Sequence, residues 1–313
     1  MRRIGIVLAA LALPPLSAAC GQRTNSANSV TIPFAPPLGP PLHYRIQETD
    51  QSPARTRTRF VVVTFTRDPN GLVMAISAVR PNGALVSKTG DMAVLNNFRF
   101  RIGQDGAMTA LENEPAYWAA TERLLSEHGP TEAAARESRA MLQSTYAARA
   151  LPVSERMGFI ARNFWPITSY AGDTYTREPR DAPASKHSVV GDIEGMSRTF
   201  AREVTSDRIV IVEKFVINPQ RMQAALDNVA ARYGSLPQGI GSRHISNVLR
   251  IITVLDPRTG LVRSREDRSE LVTEQAGRRF QQSNTVLLEQ VTALAPSRAM
   301  PPPSVANRVA PSH

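Results

Sequence analysis

The chain has 313 residues, of which 42% are hydrophobic and 20% charged, and it contains one cysteine. This composition is typical of a packed globular domain and argues against wholesale disorder, a collagen-like repeat or a multispan membrane protein. A single cysteine excludes an internal disulfide and a thiolate zinc site, so burial and hydrogen bonding must stabilise the fold.

The formal net charge of +10 raises the question of a nucleic-acid partner. The cations are scattered along the chain and alternate with acids, as in residues 263–270, and no run of five basic residues occurs. A dispersed distribution of this kind lacks the clustered patch that phosphate backbones require. We therefore predict no nucleic-acid binding, and a somewhat stronger general attraction to anionic membrane surfaces.

The first 19 residues have the three parts of a secretory signal peptide. Arg2 and Arg3 provide the positive start, residues 4–16 are an apolar run, and residues 17–19 are small. The apolar run is too short for a helix that spans a hydrocarbon core of ~30 Å. We predict that residues 1–19 are a signal peptide and that the mature chain is exported.

The sequence LSAAC at residues 16–20 resembles the lipobox of bacterial lipoprotein precursors. In that family the cysteine thiol receives a diacylglycerol group, and cleavage just before it makes the cysteine the first residue. The resemblance implies lipidation of Cys20, and Gly21 resembles the sorting pattern of lipoproteins on the periplasmic side of the outer membrane. Ser17 departs from the leucine that is usual there, and it leaves ordinary signal peptidase and a soluble periplasmic protein as the alternative.

Two proline-rich segments flank the predicted domain. Residues 20–42 favour the extended polyproline II conformation, and we predict that they form a semi-rigid tether. Residues 295–313 contain five prolines and show no helical or strand period, which predicts a disordered tail. The folded part is then a single domain over residues 43–294.

Within that domain the dominant pattern is strands joined by short turns. Residues 57–66 and 72–79 flank the turn Asp68-Pro69-Asn70-Gly71 and predict a hairpin. Similar patterns predict further strands at residues 98–102, 196–204, 208–217, 244–255, 261–265, 270–274 and 278–289. We predict an α+β fold with a largely antiparallel β-sheet, built as a meander that is either curved or rolled into a half-barrel.

Helical spacing interrupts the strands twice. Residues 113–165 predict a helical insertion of three helices, which start near Asn113, Thr131 and Ser154. One further amphipathic helix is predicted from Asn218 to Gly234, because its apolar residues recur every three or four positions.

Three aromatic residues of the insertion, Trp118, Phe164 and Trp165, are candidates for ligand or partner binding. They would line an apolar groove over the sheet that takes an apolar ligand or another envelope protein. The alternative is that they form the core between the helices and the sheet. Aromatic residues at helical spacing are more often core, so that alternative carries more weight.

The sequence contains none of the common catalytic motifs: Gly-x-Ser-x-Gly, Ser-x-x-Lys, His-Glu-x-x-His or a phosphate-binding glycine loop. We predict no cofactor and no metal site. The predicted function is non-catalytic binding or scaffolding at the membrane periphery, with the membrane itself as a partner through lipidated Cys20. The alternative is a periplasmic hydrolase that uses His187 or His244.

Overall fold

The computed structural model of the chain describes residues 28–51, 54–126, 142, 145–146, 148–161, 165–188, 191–221, 224, 244–275 and 278–292. The strands in these ranges are β1 (Ser29–Thr31), β2 (Leu42–Gln51), β3 (Ala54–Asp68), β4 (Gly71–Val79), β5 (Asn97–Ile102), β6 (Met108–Leu111), β7 (Thr174–Thr176), β8 (Asp181–Ser188), β9 (Gly191–Val204), β10 (Ile209–Ile217), β11 (His244–Leu255), β12 (Val262–Gln275) and β13 (Arg278–Val291). The helices are α1 (Gly90–Asn96), α2 (Glu114–Ser126) and α3 (Val153–Ala161).

Eleven of these strands form one antiparallel sheet in the order β6-β5-β4-β3-β2-β13-β12-β11-β10-β9-β8. Two meanders, β2 to β6 and β8 to β13, are joined where β2 pairs with β13, as in the pair Ile46 and Leu288. The described residues of the outermost strands, β6 and β8, do not pair with each other, so the sheet is not closed into a barrel. The predicted fold class is confirmed.

Local turn chemistry accounts for the hairpins. Asp68 and Gly71 close the β3–β4 hairpin, and the Asp68 carboxylate accepts a hydrogen bond of 2.8 Å from the backbone N–H of Asn70. Gly71 has a φ of +121°, which a side chain would strain, so glycine is required at the end of this turn. The β11–β12 connection repeats the arrangement, because Asp256 accepts from the N–H groups of Arg258 and Thr259.

Strand β12 differs from the prediction. Residues 261–265 and 270–274 were predicted as two strands, whereas residues 262–275 form one strand of 14 residues. The charged stretch between them stays in the ladder because Arg265 and Asp267 point to the buried side of the sheet and pair with each other.

The helices match the prediction in part. Helix α2 begins at Glu114 and α3 at Val153, each within one residue of the predicted start. Helix α1 was not predicted. The predicted helices from Thr131 and from Asn218 lie mostly outside the described residues.

The proline-rich segment departs from the predicted tether, because residues 28–39 lie against the domain. Strand β1 pairs with β7, and the Ile32 side chain is only 1% exposed. The backbone N–H of Ala35 donates to Thr259, and that of Gly39 donates to Phe65. These contacts fix a segment whose prolines could not themselves donate to a ladder.

One face of the large sheet, called the inner face below, carries the hydrophobic core. Its strand residues, such as Tyr44, Val63 and Phe100, are buried against Met157 of α3 and Ile167 of the 3-10 turn Trp165–Ile167. The opposite face is called the outer face. This arrangement places the helices and residues 165–175 over the inner face.

Candidate functional site

Trp118, a predicted site residue, lies in the core. Its side chain is 2% exposed, and its ring packs against Phe159 of α3 and Tyr117 of α2. The indole Nε1–H donates a hydrogen bond of 3.0 Å to Glu114 Oε1, and Arg156 Nε lies 2.5 Å from the same oxygen. Trp118 therefore joins α2 to α3, and a ligand would reach its ring only after these helices separate.

The other two predicted aromatic residues are less well defined. Phe164 lies outside the described residues. Trp165 begins the 3-10 turn Trp165–Ile167, but its side chain falls outside the described part of the chain. Of the three predicted residues, Trp118 is therefore the one whose side-chain packing the structure describes.

A buried polar cluster lies on the inner face beneath residues 165–173. It contains Tyr170, Arg265, Asp267, Glu213 and Thr253, which come from three neighbouring strands and the loop above them. The exposed fractions are 0% for Tyr170, 3% for Arg265 and 7% for Asp267. Burial of this many polar groups is unfavourable unless each has partners.

The partners are present and well oriented. Arg265 Nε donates to Asp267 Oδ1 at 2.6 Å and Nη2 donates to Oδ2 at 3.1 Å, which is a bidentate ion pair. Arg265 Nη1 donates to the Tyr170 hydroxyl at 2.8 Å, and that hydroxyl donates to Glu213. Thr253 Oγ1 lies 2.8 Å from the same hydroxyl and completes the cluster.

The charge states follow from these contacts. Burial by itself lowers the pKa of Arg265, but Asp267, Tyr170 and Glu213 outweigh it and the net pKa is raised. Burial raises the pKa of the Tyr170 hydroxyl well above its usual value, although Arg265 opposes this shift. Tyr170 therefore keeps its proton, and the arrangement holds residues 165–173 on the sheet without leaving a free base for catalysis.

Asp173 lies beside this cluster and is half-buried. Burial raises the pKa of its carboxyl, and the charges of Asp105 and Glu213 act in the same direction, whereas the Tyr175 hydroxyl, which donates to Asp173 Oδ2 at 3.1 Å, lowers it. A carboxylate in this position destabilises the fold at neutral pH.

We expect Asp173→Asn to raise the free energy of unfolding at pH 7, because the amide oxygen can still accept from Tyr175 and carries no charge. The stability difference between the variant and the wild type should shrink as the pH falls through the raised pKa of Asp173 in the folded wild type, towards the ordinary aspartate value of 3.8. In this range the wild-type carboxyl takes up a proton and loses its charge. Urea unfolding of both proteins between pH 7 and pH 4 measures this difference. Equal stability at pH 7 would contradict the assignment.

The two candidate histidines occupy strands that do not adjoin. His187 lies in β8, opposite Asp192, and His244 begins β11, opposite Glu274. The sheet order places two strands between β8 and β11, so the backbones are about 14 Å apart at ~4.8 Å per strand.

The outer face carries a row of cations across four neighbouring strands. Arg198 of β9 is directly opposite Lys214 of β10, Lys214 is opposite Arg250 of β11, and Arg250 is opposite Arg268 of β12. Residues directly opposite in an antiparallel ladder point to the same face, with Cβ atoms roughly 5 Å apart. These four residues, called the cation row below, extend over about 14 Å of the sheet.

The charges at the two ends of the cation row are compensated. Arg198 forms a bidentate pair with Asp181 of β8 at 2.6 and 2.7 Å, and Arg268 Nε pairs with Glu266. In the described ranges, Lys214 and Arg250 form no ion pair. Arg250, Ile252, Glu266 and Arg268 line a shallow depression of about 120 Å³.

No protein-family model matches this chain, and no curated protein matches it. In the described part of the chain, no helix is both long and apolar enough to cross a membrane, and no three His, Cys, Asp or Glu side chains come together in a way that could hold a metal ion.

Sequence reasoning missed both polar arrangements. For the buried cluster a usable signal exists: residues 262–275 contain no Gly, Pro or Asn, so nothing in them ends a strand and the charged residues stay in register. For the cation row no local signal exists, because each strand contributes one cation and only the register aligns them.

Proposed function

We propose that this protein is an exported lipoprotein, anchored through Cys20 on the periplasmic side of the outer membrane, and that its domain acts there by binding or scaffolding and not by catalysis. The observation that carries the proposal is that β1 and Ile32 are packed into the domain. Only the residues between Cys20 and Asn28 then separate the acylation site from the fold.

This distance is short. Seven residues lie between position 20 and position 28, so eight steps along the chain join the two positions, and a fully extended chain spans at most ~3.6 Å per step. An acyl chain on Cys20 would therefore keep the domain within about 29 Å of the bilayer surface. A domain held this close meets lipids and other envelope proteins before it meets soluble molecules.

A non-catalytic role agrees with the chemistry on the inner face. The most deeply buried charged groups, Arg265 and Asp267, are fully occupied with each other and with Tyr170. The strands that carry His187 and His244 are not neighbours in the sheet, so the backbone does not bring the two histidines to one position. The apolar groove proposed around Trp118 would have to open before it could take a ligand.

Lipidation is tested with Cys20→Ser and Ser17→Leu in a bacterial host. We expect the wild type in the membrane fraction, with a diacylglyceryl-modified cysteine at its N-terminus, and Cys20→Ser in the soluble periplasm. Ser17→Leu, which restores the residue usual in the lipobox, should increase the acylated fraction. Density-gradient fractionation then reports whether the anchored protein lies in the outer membrane.

The single cysteine provides a second readout. A thiol-reactive maleimide labels the chain only if Cys20 is free, so acylated protein stays unlabelled. A soluble wild type that is labelled by maleimide, and whose N-terminus is unmodified, would contradict the proposed anchor and favour cleavage by ordinary signal peptidase.

A further inference from the structure

The residues of the cation row repel one another and so lower the stability of the sheet on which they lie. Like charges directly opposite each other in an antiparallel pair are destabilising, and Lys214 has an arginine on both sides, Arg198 and Arg250. The diagonal neighbours of Lys214 on both flanking strands are apolar, so no carboxylate there relieves the repulsion. Asp181 offsets part of the charge on Lys214, and Glu266 and Glu270 lie diagonal to Arg250. Among the described residues, however, neither Lys214 nor Arg250 forms an ion pair, so both are available to an anionic partner outside the chain.

Apolar residues border the cation row on both sides in β9, β10 and β11, whereas the corresponding positions in β12 are Glu270 and Glu266. Met196, Val216 and Val248 lie on one side in register with each other, and Met196 and Val216 are 45% and 38% exposed. Phe200, Val212 and Ile252 form the corresponding line on the other side. Cations between apolar lines suit a membrane interface, where long side chains place the charge at headgroups and their carbon stems in the apolar boundary.

The entry point of the chain lies beside the same strands. Asn28 Nδ2 donates to Glu178, and its backbone carbonyl accepts from Arg177 N–H. Three residues after Glu178 comes Asp181, which pairs with Arg198 at the end of the cation row. The Arg198 guanidinium, with a smaller contribution from Lys214, holds the pKa of Asp181 below its usual value.

We propose that the outer face of β9 to β12 is a membrane-docking surface, on which the cation row binds the phosphate groups of anionic phospholipids. The proposal rests on the anchor at Cys20 in one respect: an acyl chain within about 29 Å of Asn28 keeps the β8 edge, at the Arg198 end of the cation row, close to the bilayer. In the depression between Arg250 and Arg268, Glu266 already pairs with Arg268, so Arg250 is the guanidinium group that a phosphate would meet there.

The test separates this surface from the anchor by using the mature chain with Cys20→Ser, which carries no acyl group. Co-sedimentation compares vesicles of phosphatidylglycerol and phosphatidylcholine with vesicles of phosphatidylcholine alone. We expect binding to the anionic vesicles only, weakened by salt. Each surface cation contributes about fivefold in affinity, so Lys214→Glu, which changes the charge by two, should weaken binding about 25-fold.

Lys88→Glu is the matched control, because Lys88 is an exposed lysine on the β4–α1 connection, away from the cation row. It should change binding by less than about threefold. Lys214→Glu should also keep or raise the urea midpoint of unfolding, since the introduced carboxylate would face Arg198 and Arg250 with opposite charge. A loss of binding together with equal or greater stability excludes misfolding as the cause.

Equal binding to both vesicle types, no binding at all, or the same loss for Lys88→Glu as for Lys214→Glu would overturn the docking surface. None of these results depends on acylation, so they leave the lipoprotein proposal standing. Conversely, a wild type found unlipidated in its host would remove the anchor without changing the vesicle result.

Discussion

Replacing Arg265 with methionine should lower the free energy of unfolding by about 3 to 5 kcal/mol. The guanidinium is 3% exposed, and within the described cluster it is the cation that faces both Asp267 and, through the Tyr170 hydroxyl, Glu213. Its removal leaves these carboxylates in the interior without a positive partner. The Tyr170 hydroxyl also loses a donor, so the contact that holds residues 165–173 to the sheet weakens.

Urea unfolding, followed by tryptophan fluorescence and by circular dichroism, measures this loss. Asp267→Asn keeps the shape of the side chain and one acceptor oxygen, and we expect it to cost less than Arg265→Met. The double variant Arg265→Met with Asp267→Leu removes the ion pair as a whole, and it should recover much of the loss, because apolar residues of similar volume often replace a buried pair without penalty. A double variant no more stable than Arg265→Met would show that the pair itself is needed.

Gly260→Ala should destabilise the protein by about 3 kcal/mol, the sum of a backbone cost and a packing cost. Gly260 has a φ of +73°, which costs a residue with a side chain about 1 kcal/mol. A Cβ at this position would also lie 1.8 Å from the Pro33 carbonyl oxygen and 3.2 Å from Ile32 Cγ2. Residues 32 and 33 would have to move, and the exposure of Ile32 accounts for about 2 kcal/mol of the loss.

Gly90→Ala separates the two contributions. Gly90 has a similar φ of +67°, but a Cβ there meets no atom within 4 Å, so this variant should lose only about 1 kcal/mol. Thermal or urea unfolding measures both variants. If Gly260→Ala lost no more than Gly90→Ala, residues 32 and 33 would not be packed against the β11–β12 turn in solution.

The hairpins and the fold class could be predicted from the sequence. The Asp68-Pro69-Asn70-Gly71 turn and the alternation on either side of it depend on neighbouring residues, and the structure places β3 and β4 there. The predicted strand at residues 244–255 agrees with β11 in both ends. Helix α1 was missed because seven residues without a buried side chain leave no helical period to detect.

The candidate site was predictable only in part. Trp118 was a candidate for ligand or partner binding, with a core role as the alternative, and it lies in the core; its partners Glu114 and Arg156 depend on how α2 packs on α3. From the sequence alone, Arg265 and Asp267 would be expected on the surface, because charged residues are rarely buried unless they are paired. Their partners Tyr170 and Glu213 are 95 and 52 residues away from Arg265 along the chain, and no local pattern links them.

Local sequence was sufficient for the short-range features of this protein: the hairpin turns, the alternation of the strands and the start of α2. These depend on backbone preferences and on residues a few positions apart. Which strands became neighbours depended instead on tertiary contacts. The pairing of β2 with β13 makes one sheet from two meanders, the packing of Ile32 turns a proline-rich segment into part of the domain, and the register of four strands aligns Arg198, Lys214, Arg250 and Arg268. Each of these requires contacts between distant residues, whose free energy comes from burial and electrostatics across the whole sheet and is not a property of any one segment.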